Sequence, residues 1–383
     1  MLNPPTWSEL CPDLLGFIFE RLSFADFHRM KLVCSNWNSS SKRAMARKIE
    51  PPWLILFPYG EENGCVLYNP EEDRIYKTVR DFSGFRFLAN SGKWFLVVDS
   101  GCNLYIMDVF SEDRRIDLPS LKSLISLAYA LKSVRDKQCN NFGLSSGCYQ
   151  KEIARNLRGR LWVDEKTGEF VVVWFFDPDI YLFYCKKGDN HYTIIPLYHE
   201  VPKLLKGLND PVLRGYRLYI ASKRGFVRVI DLSGQQDFED VTGSNPKPMF
   251  SPLEEHNSFS IAVTTTGEVF LVESKTFENQ RTFRLFKKDP NNEDPLVHSP
   301  KLLEVDSLGD EALLLDLGIT VPANHTIGIK PNSIYFTRHD CARLRIPFDL
   351  DICVFNLATK TLKRFPQLAN LNLKDARWFL PMT

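Results

Sequence analysis

The hydrophobic period of this chain changes once, at Pro51 and Pro52, and that single break divides everything else. Before it, apolar residues recur at helical spacing; after it, short β-rich runs alternate with turn residues. Pro12 sits where the first turn of a helix tolerates proline, and Leu15, Ile18, Phe19 and Leu22 follow at i, i+3, i+4 and i+7. Leu14 and Phe17 fall on another side of that helix, so more than half its circumference is apolar and one side needs an additional partner. Ser23 followed by Asp26 predicts a capping box that opens a short second helix carrying Phe27. Met30, Val33, Cys34 and Trp37 repeat the stripe and predict a third helix, with Lys42, Arg43, Arg47 and Lys48 near its end, where positive charge complements exposed carbonyls.

Beyond the break one hairpin type recurs six times, over residues 65–79, 103–119, 180–197, 227–241, 283–305 and 352–366. Each is an apolar strand, a turn of Gly, Asp, Asn or charged residues, and a second strand, often closing on Leu-Pro or Phe-Pro. Two further strands precede most of them, as in 85–89 with 94–98, 212–213 with 217–221, and 258–263 with 268–272. Four strands per repeat is the unit of a β-propeller, and the mean spacing of about 57 residues exceeds that of common propeller repeats because two repeats carry insertions. The first repeat starts at residues 53–57 without a preceding strand, while 376–380 is a strand left over. Trp378-Phe379-Leu380 is similar to Phe85-Arg86-Phe87-Leu88, so the expectation is six four-stranded blades closed by the C-terminal strand. An open double-sheet sandwich is the alternative. The domains expected are a three-helix unit over residues 1–48 and a β-propeller over 51–383.

Composition narrows the functions such a chain can serve. With 44% hydrophobic residues, 28 Phe and 7 Trp in 383 residues, it has ample material for a core. A formal net charge of +1 provides no global field to steer it to nucleic acid or an anionic membrane, so neither partner is expected. The most apolar stretch, residues 170–176, is far short of the ~20 residues that span a bilayer. Nine Cys, scattered without a C-x-x-C pair, read as reduced thiols of an intracellular protein of the cytoplasm or nucleus, and no signal peptide is evident. No H-E-x-x-H, EF-hand loop, G-x-S-x-G elbow or P-loop occurs, so no metal, cofactor or catalytic residue is expected. The carboxylates of 71–73 and 237–240 suit turns better than acid/base work.

Leu10, Pro12, Asp13, Leu15, Ile18, Leu22, Asp26, Leu32-Val33-Cys34 and Trp37 lie at the spacings of the F-box, with Phe24 departing from the proline many F-boxes carry there. The whole chain resembles the plant F-box proteins with a KIB-type propeller. The segments that carry the second half of the likeness are Leu308-Gly309-Asp310-Glu311-Ala312, 330–336 (KPNSIYF) and Val354-Phe355-Asn356-Leu357. The resemblance implies a non-catalytic substrate-recognition subunit of a Skp-cullin-F-box ubiquitin ligase. The F-box would dock on a Skp-type adaptor, and the propeller would hold an unidentified target protein near activated ubiquitin. A helical unit of this size buries too little apolar surface to stand comfortably alone, which agrees with a docking role. Leu10, Pro12, Leu15, Ile18, Leu22, Val33 and Trp37 are the expected adaptor-facing or adaptor-supporting residues. Two other classes stay open: a scaffold that binds the adaptor without delivering a target, and a propeller enzyme with an unrelated helical leader.

Two insertions exceed what a turn needs and are candidates for target binding. One follows Pro119, where Leu121, Leu124, Ile125, Ala128 and Leu131 predict an amphipathic helix. The other, 338–347, holds Arg338, His339, Arg343 and Arg345, cations suited to an acidic or phosphorylated segment, with Arg224 and Lys275 expected on the same face.

Overall fold

Three short helices precede the β region: α1 (Pro12–Arg21), α2 (Phe24–Met30) and α3 (Ser35–Met45). The computed structural model describes residues 7–22, 24–30, 33–45, 52–59, 64–78, 81–111, 113–121, 157–175, 181–208, 211–222, 224–235, 237–243, 247–250, 258–278, 280–290, 301–323, 328–338 and 350–381. The helix predicted to run from Met30 through Trp37 is broken. Met30 ends α2, Val33 lies in a turn with its N–H on the Met30 carbonyl, and α3 begins at Ser35, with the Asn38 N–H on the Cys34 carbonyl. Spacing of i+3 also survives a tight turn, so the stripe did not reveal the break. Ser23, the predicted cap, lies outside the described residues.

The β region runs β1 (Trp53–Pro58), β2 (Val66–Asn69), β3 (Arg74–Lys77), then β4 (Phe85–Ser91), β5 (Trp94–Asp99), β6 (Leu104–Asp108) and β7 (Arg115–Asp117). It continues through β8 (Arg158–Asp164), β9 (Glu169–Phe175), β10 (Tyr181–Lys186), β11 (Thr193–Pro196), and β12 (Pro211–Arg214), β13 (Arg217–Ala221), β14 (Val227–Asp231), β15 (Glu239–Asp240). Next come β16 (Ser258–Val263), β17 (Val269–Phe277), β18 (Gln280–Lys288) and β19 (Leu302–Val305). The last are β20 (Glu311–Leu314), β21 (Ile319–Pro322), β22 (Ser333–Phe336), β23 (Cys353–Asn356), β24 (Thr361–Arg364) and β25 (Leu373–Phe379). Each of the six expected hairpins pairs antiparallel. Their turns use the expected chemistry: the Asn69 side-chain oxygen accepts the Glu71 N–H at 3.0 Å, and Asp99 accepts those of Gly101 and Asn103 at 2.9 and 2.8 Å.

The fold is mostly β and propeller-like. Among the described residues four sheets have four strands, in the orders β25-β1-β2-β3, β4-β5-β6-β7, β8-β9-β10-β11 and β12-β13-β14-β15. The fifth has nine, because β16 to β19 join β20, β22, β23 and β24 through β21. That join is one parallel bridge, Val263 to Ile319. The β20–β21 hairpin at the join was not anticipated as a strand pair. The pairing of β25 with β1 runs from Trp53 opposite Phe379 to Pro58 opposite Leu373.

Continuous apolar runs form these strands because the strands bury both faces. In β9, Phe170, Val172 and Trp174 enter the cluster shared with β4 to β6, while Val171, Val173 and Phe175 enter the cluster shared with β12 to β14. Comparable clusters join β1 and β2 to β4 to β6, β12 to β14 to β16 and β17, β16 to β18 to β20, β22 and β23, and β20 and β22 to β1, β2 and β25. Aromatic rings fill the junctions: Trp174 stacks on Phe183 at 4.2 Å, and Trp378 meets Tyr335 edge-on at 5.1 Å. The outermost strands β3, β7, β15 and β24 are instead charged and mostly exposed, which discourages edge pairing with another chain.

Gly318, between β20 and β21, has φ of +69°, and a Cβ there would stand 2.4 Å from Val212 Cγ2 and 2.9 Å from the Ile261 carbonyl. Gly215 has φ of +60° with open space around it. Gly215→Ala is therefore expected to cost about 1 kcal/mol from backbone strain alone, and Gly318→Ala roughly 2 to 4 kcal/mol, with denaturant midpoints as the measurement.

Asp351 holds two arginines: Arg281 Nε lies 2.6 Å from one carboxylate oxygen and Arg364 Nε 3.0 Å from the other. Burial works to raise the Asp351 pKa, but hydrogen bonds from Arg364 and Arg281 outweigh it and hold it below the ordinary carboxylate value. Its contribution to stability is thus complete above the unfolded value of about 3.9 and is lost as pH falls through the lower folded value. Asp351→Asn should cost about 2 kcal/mol at pH 7, since it removes the charge both guanidinium groups face, although Arg281 keeps the Ser274 hydroxyl and Arg364 stays open to water. The gap in melting temperature from the unaltered protein should stay constant down to about pH 5 and close below about pH 4.

Candidate functional site

The helical unit has a closed interior and an open exterior. Leu15, Phe19, Phe27 and Trp37 form its buried core, with Leu10, Ile18, Leu22, Met30 and Cys34 packed against it. Phe19 lies edge-on to both Phe27 and Trp37, at 5.6 and 5.7 Å. Helix α3 ties down the segment ahead of α1: the Trp37 indole N–H donates to the Trp7 carbonyl at 2.8 Å, and the Asn36 amide donates to the Ser8 and Leu10 carbonyls at 3.0 and 2.9 Å. These contacts account for the α1 stripe read from the sequence.

The same geometry sorts the expected adaptor-facing residues into two groups. Leu15 is fully occluded and Trp37 is 4% exposed, so both pack the unit's interior; Leu10, Ile18 and Leu22 are half-buried against it. Pro12 and Val33 are exposed. What reaches outward is the other side of α1, where Leu14 and Phe17, one turn apart, are 52% and 58% exposed, together with Val33 at 54% and Trp7 at 72%. Of the eight large apolar side chains exposed among the described residues, four lie in this unit. Exposed apolar side chains are thus concentrated on the smaller unit. Trp7 had no periodic pattern to betray it, whereas Leu14 and Phe17 were legible as the second apolar side of α1.

The cations expected to face a target are differently placed. Arg338 is 9% exposed and its guanidinium is 2.8 Å from Asp375, which corrects the reading of it as a target contact: its charge is already taken by β25. Lys275 is exposed at the β17 end of the β17–β18 hairpin, with Glu273 2.9 Å away. Arg224 is exposed in the β13–β14 connection. Arg224 and Arg338 thus sit in or beside connections between the middle strands of their groups, while Lys275 lies within β17, opposite Thr282 of β18. His339, Arg343 and Arg345 lie outside the described residues, as does the helix expected over 121–131 apart from Leu121, which is buried.

Among the described residues, several groups capable of chemistry make structural contacts. Asp240 of β15 pairs with Arg228 of β14 at 2.6 Å, and Asp73 accepts the Tyr68 hydroxyl at 2.8 Å. Cys65, Cys102, Cys185 and Cys353 are buried free thiols, and burial pushes Cys65 and Cys353 up to about 12, far from the thiolate a nucleophile needs. Among the described residues, no three His, Cys, Asp or Glu side chains are grouped to hold a metal ion. No described helix is long and apolar enough to cross a membrane.

Comparison with known proteins divides the chain at the same place. Residues 7–45 match the F-box domain and residues 67–356 match the KIB1-4 beta-propeller. The Arabidopsis thaliana F-box protein At2g14290 is 53% identical over 99% of this chain and 98% of its own length. F-box protein At5g25290 of the same plant is 46% identical over 98% of this chain and 96% of its own length. F-box protein At2g14500, also from that plant, is 50% identical over 88% of this chain and 96% of its own. With helices and sheets falling where those two matches fall, the chain belongs to the plant F-box proteins that carry a KIB1-4 β-propeller.

Proposed function

We propose that this chain is the substrate-recognition subunit of a Skp-cullin-F-box ubiquitin ligase, working inside the cell in the cytoplasm or nucleus. The helical unit, residues 1–48, docks on the Skp-type adaptor; residues 51–383 hold the target. The observation that carries this reading is the surplus apolar surface of Leu14, Phe17 and Val33 on a unit whose own core is already filled. Each of these side chains, already about half covered, gains roughly 1 to 1.5 kcal/mol when a partner covers the rest. Leu15 and Trp37 support the surface by fixing α1 against α3, and Leu10, Ile18 and Leu22 do so at the margin.

The β region acts as a rigid platform, a ring of six blades in this reading. Six apolar clusters each span two successive strand groups, including the one shared by β1, β2 and β25 with β20 and β22, and this favours a closed ring over an open sandwich. Rigidity matters because the work is done by proximity: a target held beside an activated ubiquitin reacts as if intramolecular, with no covalent step on this chain. Arg224 in the β13–β14 connection and Lys275 in β17 supply cations for the target in this reading; His339, Arg343 and Arg345 remain candidates on sequence alone.

A double substitution on the outward side, Leu14→Asp with Phe17→Asp, is expected to weaken capture of the purified Skp-type adaptor more than 30-fold while leaving the melting temperature within a few degrees. Leu15→Asp should instead unfold the helical unit, at a cost of several kcal/mol. Adaptor affinity unchanged by the outward double substitution would sink the docking assignment. Adaptor binding without cullin in the assembled complex would move the chain to a scaffold role.

A further inference from the structure

Between the β4–β5 turn, β8, the end of β12 and the β20–β21 hairpin lies a cavity of about 400 Å³, a size that suits a small molecule. Gly215, on its wall, stands just ahead of β13, whereas Arg224 follows the other end of that strand. The cavity is therefore at the opposite end of β13 from the cation assigned to a target. Most of the wall is apolar. Trp162, Leu317, Ile319 and Val321 are half-buried there, so part of their surface still meets water, and the Trp162 ring is fixed by an edge contact with Tyr216 at 4.9 Å.

The polar groups on the wall are engaged within the fold, with one exception. Arg160 gives its Nε to the Pro211 carbonyl at 2.7 Å and a terminal nitrogen to the Gly159 carbonyl at 2.9 Å. Arg214 gives a terminal nitrogen to the Thr320 carbonyl at 2.9 Å and has the Glu311 carboxylate acting on it. The Thr320 hydroxyl donates to Glu311, and the Ser91 hydroxyl accepts the Val163 N–H at 3.0 Å. The exception is Asn90, which lines the cavity and is 2% exposed. Its amide nitrogen donates to the Trp378 carbonyl at 3.2 Å, but its Oδ1 accepts no hydrogen bond from any described residue. Burial takes water from such an oxygen, and a ligand hydroxyl would restore the bond. The cavity thus selects a neutral molecule with a hydroxyl: a charged ligand would lose its hydration without gaining a counter-charge, and a pure hydrocarbon would leave Asn90 unanswered.

We infer that this cavity binds a small neutral alcohol or phenol with a ring-built apolar body, the hydroxyl donating to Asn90 Oδ1 and the body covering Trp162, Leu317, Ile319 and Val321. The site is independent of adaptor docking by Leu14 and Phe17. The test is calorimetric titration of the full chain at pH 7 with 2-naphthol, which is uncharged there, with 2-methoxynaphthalene, which has no hydroxyl to donate, and with the anion 2-naphthoate. One equivalent of 2-naphthol should bind at least fivefold more tightly than either of the others. Asn90→Leu should bring 2-naphthol down to the affinity of the ether while the ether binds no more weakly than before. Leu317→Trp, which fills the cavity and leaves Asn90 in place, should weaken 2-naphthol and the ether at least tenfold each, and it decides the matter on its own if Asn90→Leu does not fold. Absence of binding by 2-naphthol up to its solubility limit, or affinity unchanged by Leu317→Trp, would overturn the site. Equal affinities for 2-naphthol and its ether, a preference that survives Asn90→Leu, or tighter binding of 2-naphthoate would overturn the assignment to a neutral hydroxyl compound.

Discussion

The β region depends on the antiparallel pairing of β1 with β25, six registered residue pairs that bring the two extremes of the repeat region into one sheet. Sheets stacked in a row would leave a bare apolar face at each end, because their strands are apolar on both sides. Here the face of β1 bearing Trp53 and Ile55 packs toward β4 to β6, and the face bearing Leu54 and Leu56 packs toward β20 and β22. Neither face meets water. Asn90 donates to the Trp378 carbonyl at 3.2 Å across 288 positions, so polar contacts fasten the same junction that the aromatic rings fill.

Buried arginines provide the second tier of order. Arg160 reaches from β8 to the Pro211 carbonyl of the next sheet, Arg228 from β14 to the Pro196 carbonyl of the previous one, and Arg281 from β18 to Asp351. Each spans two strand groups with directional bonds, fixing the sheets against sliding in a way that apolar contact alone does not. Arg281 also lies over the Phe336 ring at 4.7 Å, adding a cation and aromatic contact to the bond it makes with Asp351.

Much of this was legible in the sequence because strands buried on both sides announce themselves as apolar runs ended by Gly, Asp and Asn turns. All six hairpins and the left-over strand at 376–380 could be read that way. The β20–β21 hairpin escaped because its flanking runs are four residues each and its turn, built on Gly318, is hard to tell from a loop. For the helical unit, periodicity identified which residues share a side, but not which side faces inward: Leu15 and Trp37 proved to be core, and the exposed ridge is Leu14 and Phe17. Arg338 misled for a related reason, since an arginine in a cationic loop looks like a ligand contact until Asp375, far along the chain, is seen beside it.

The β1–β25 junction also has a consequence for biosynthesis. When the ribosome makes this chain, the Trp53-Leu54-Ile55-Leu56-Phe57 segment emerges early and its partner strand only after nearly all the other sheets have been translated. Through that interval the segment lacks half its hydrogen-bonding neighbours, a state that attracts chaperones and invites wrong pairing. Completion of the first sheet must therefore wait until β25 has been made, and its pace is governed by a contact of very long sequence separation.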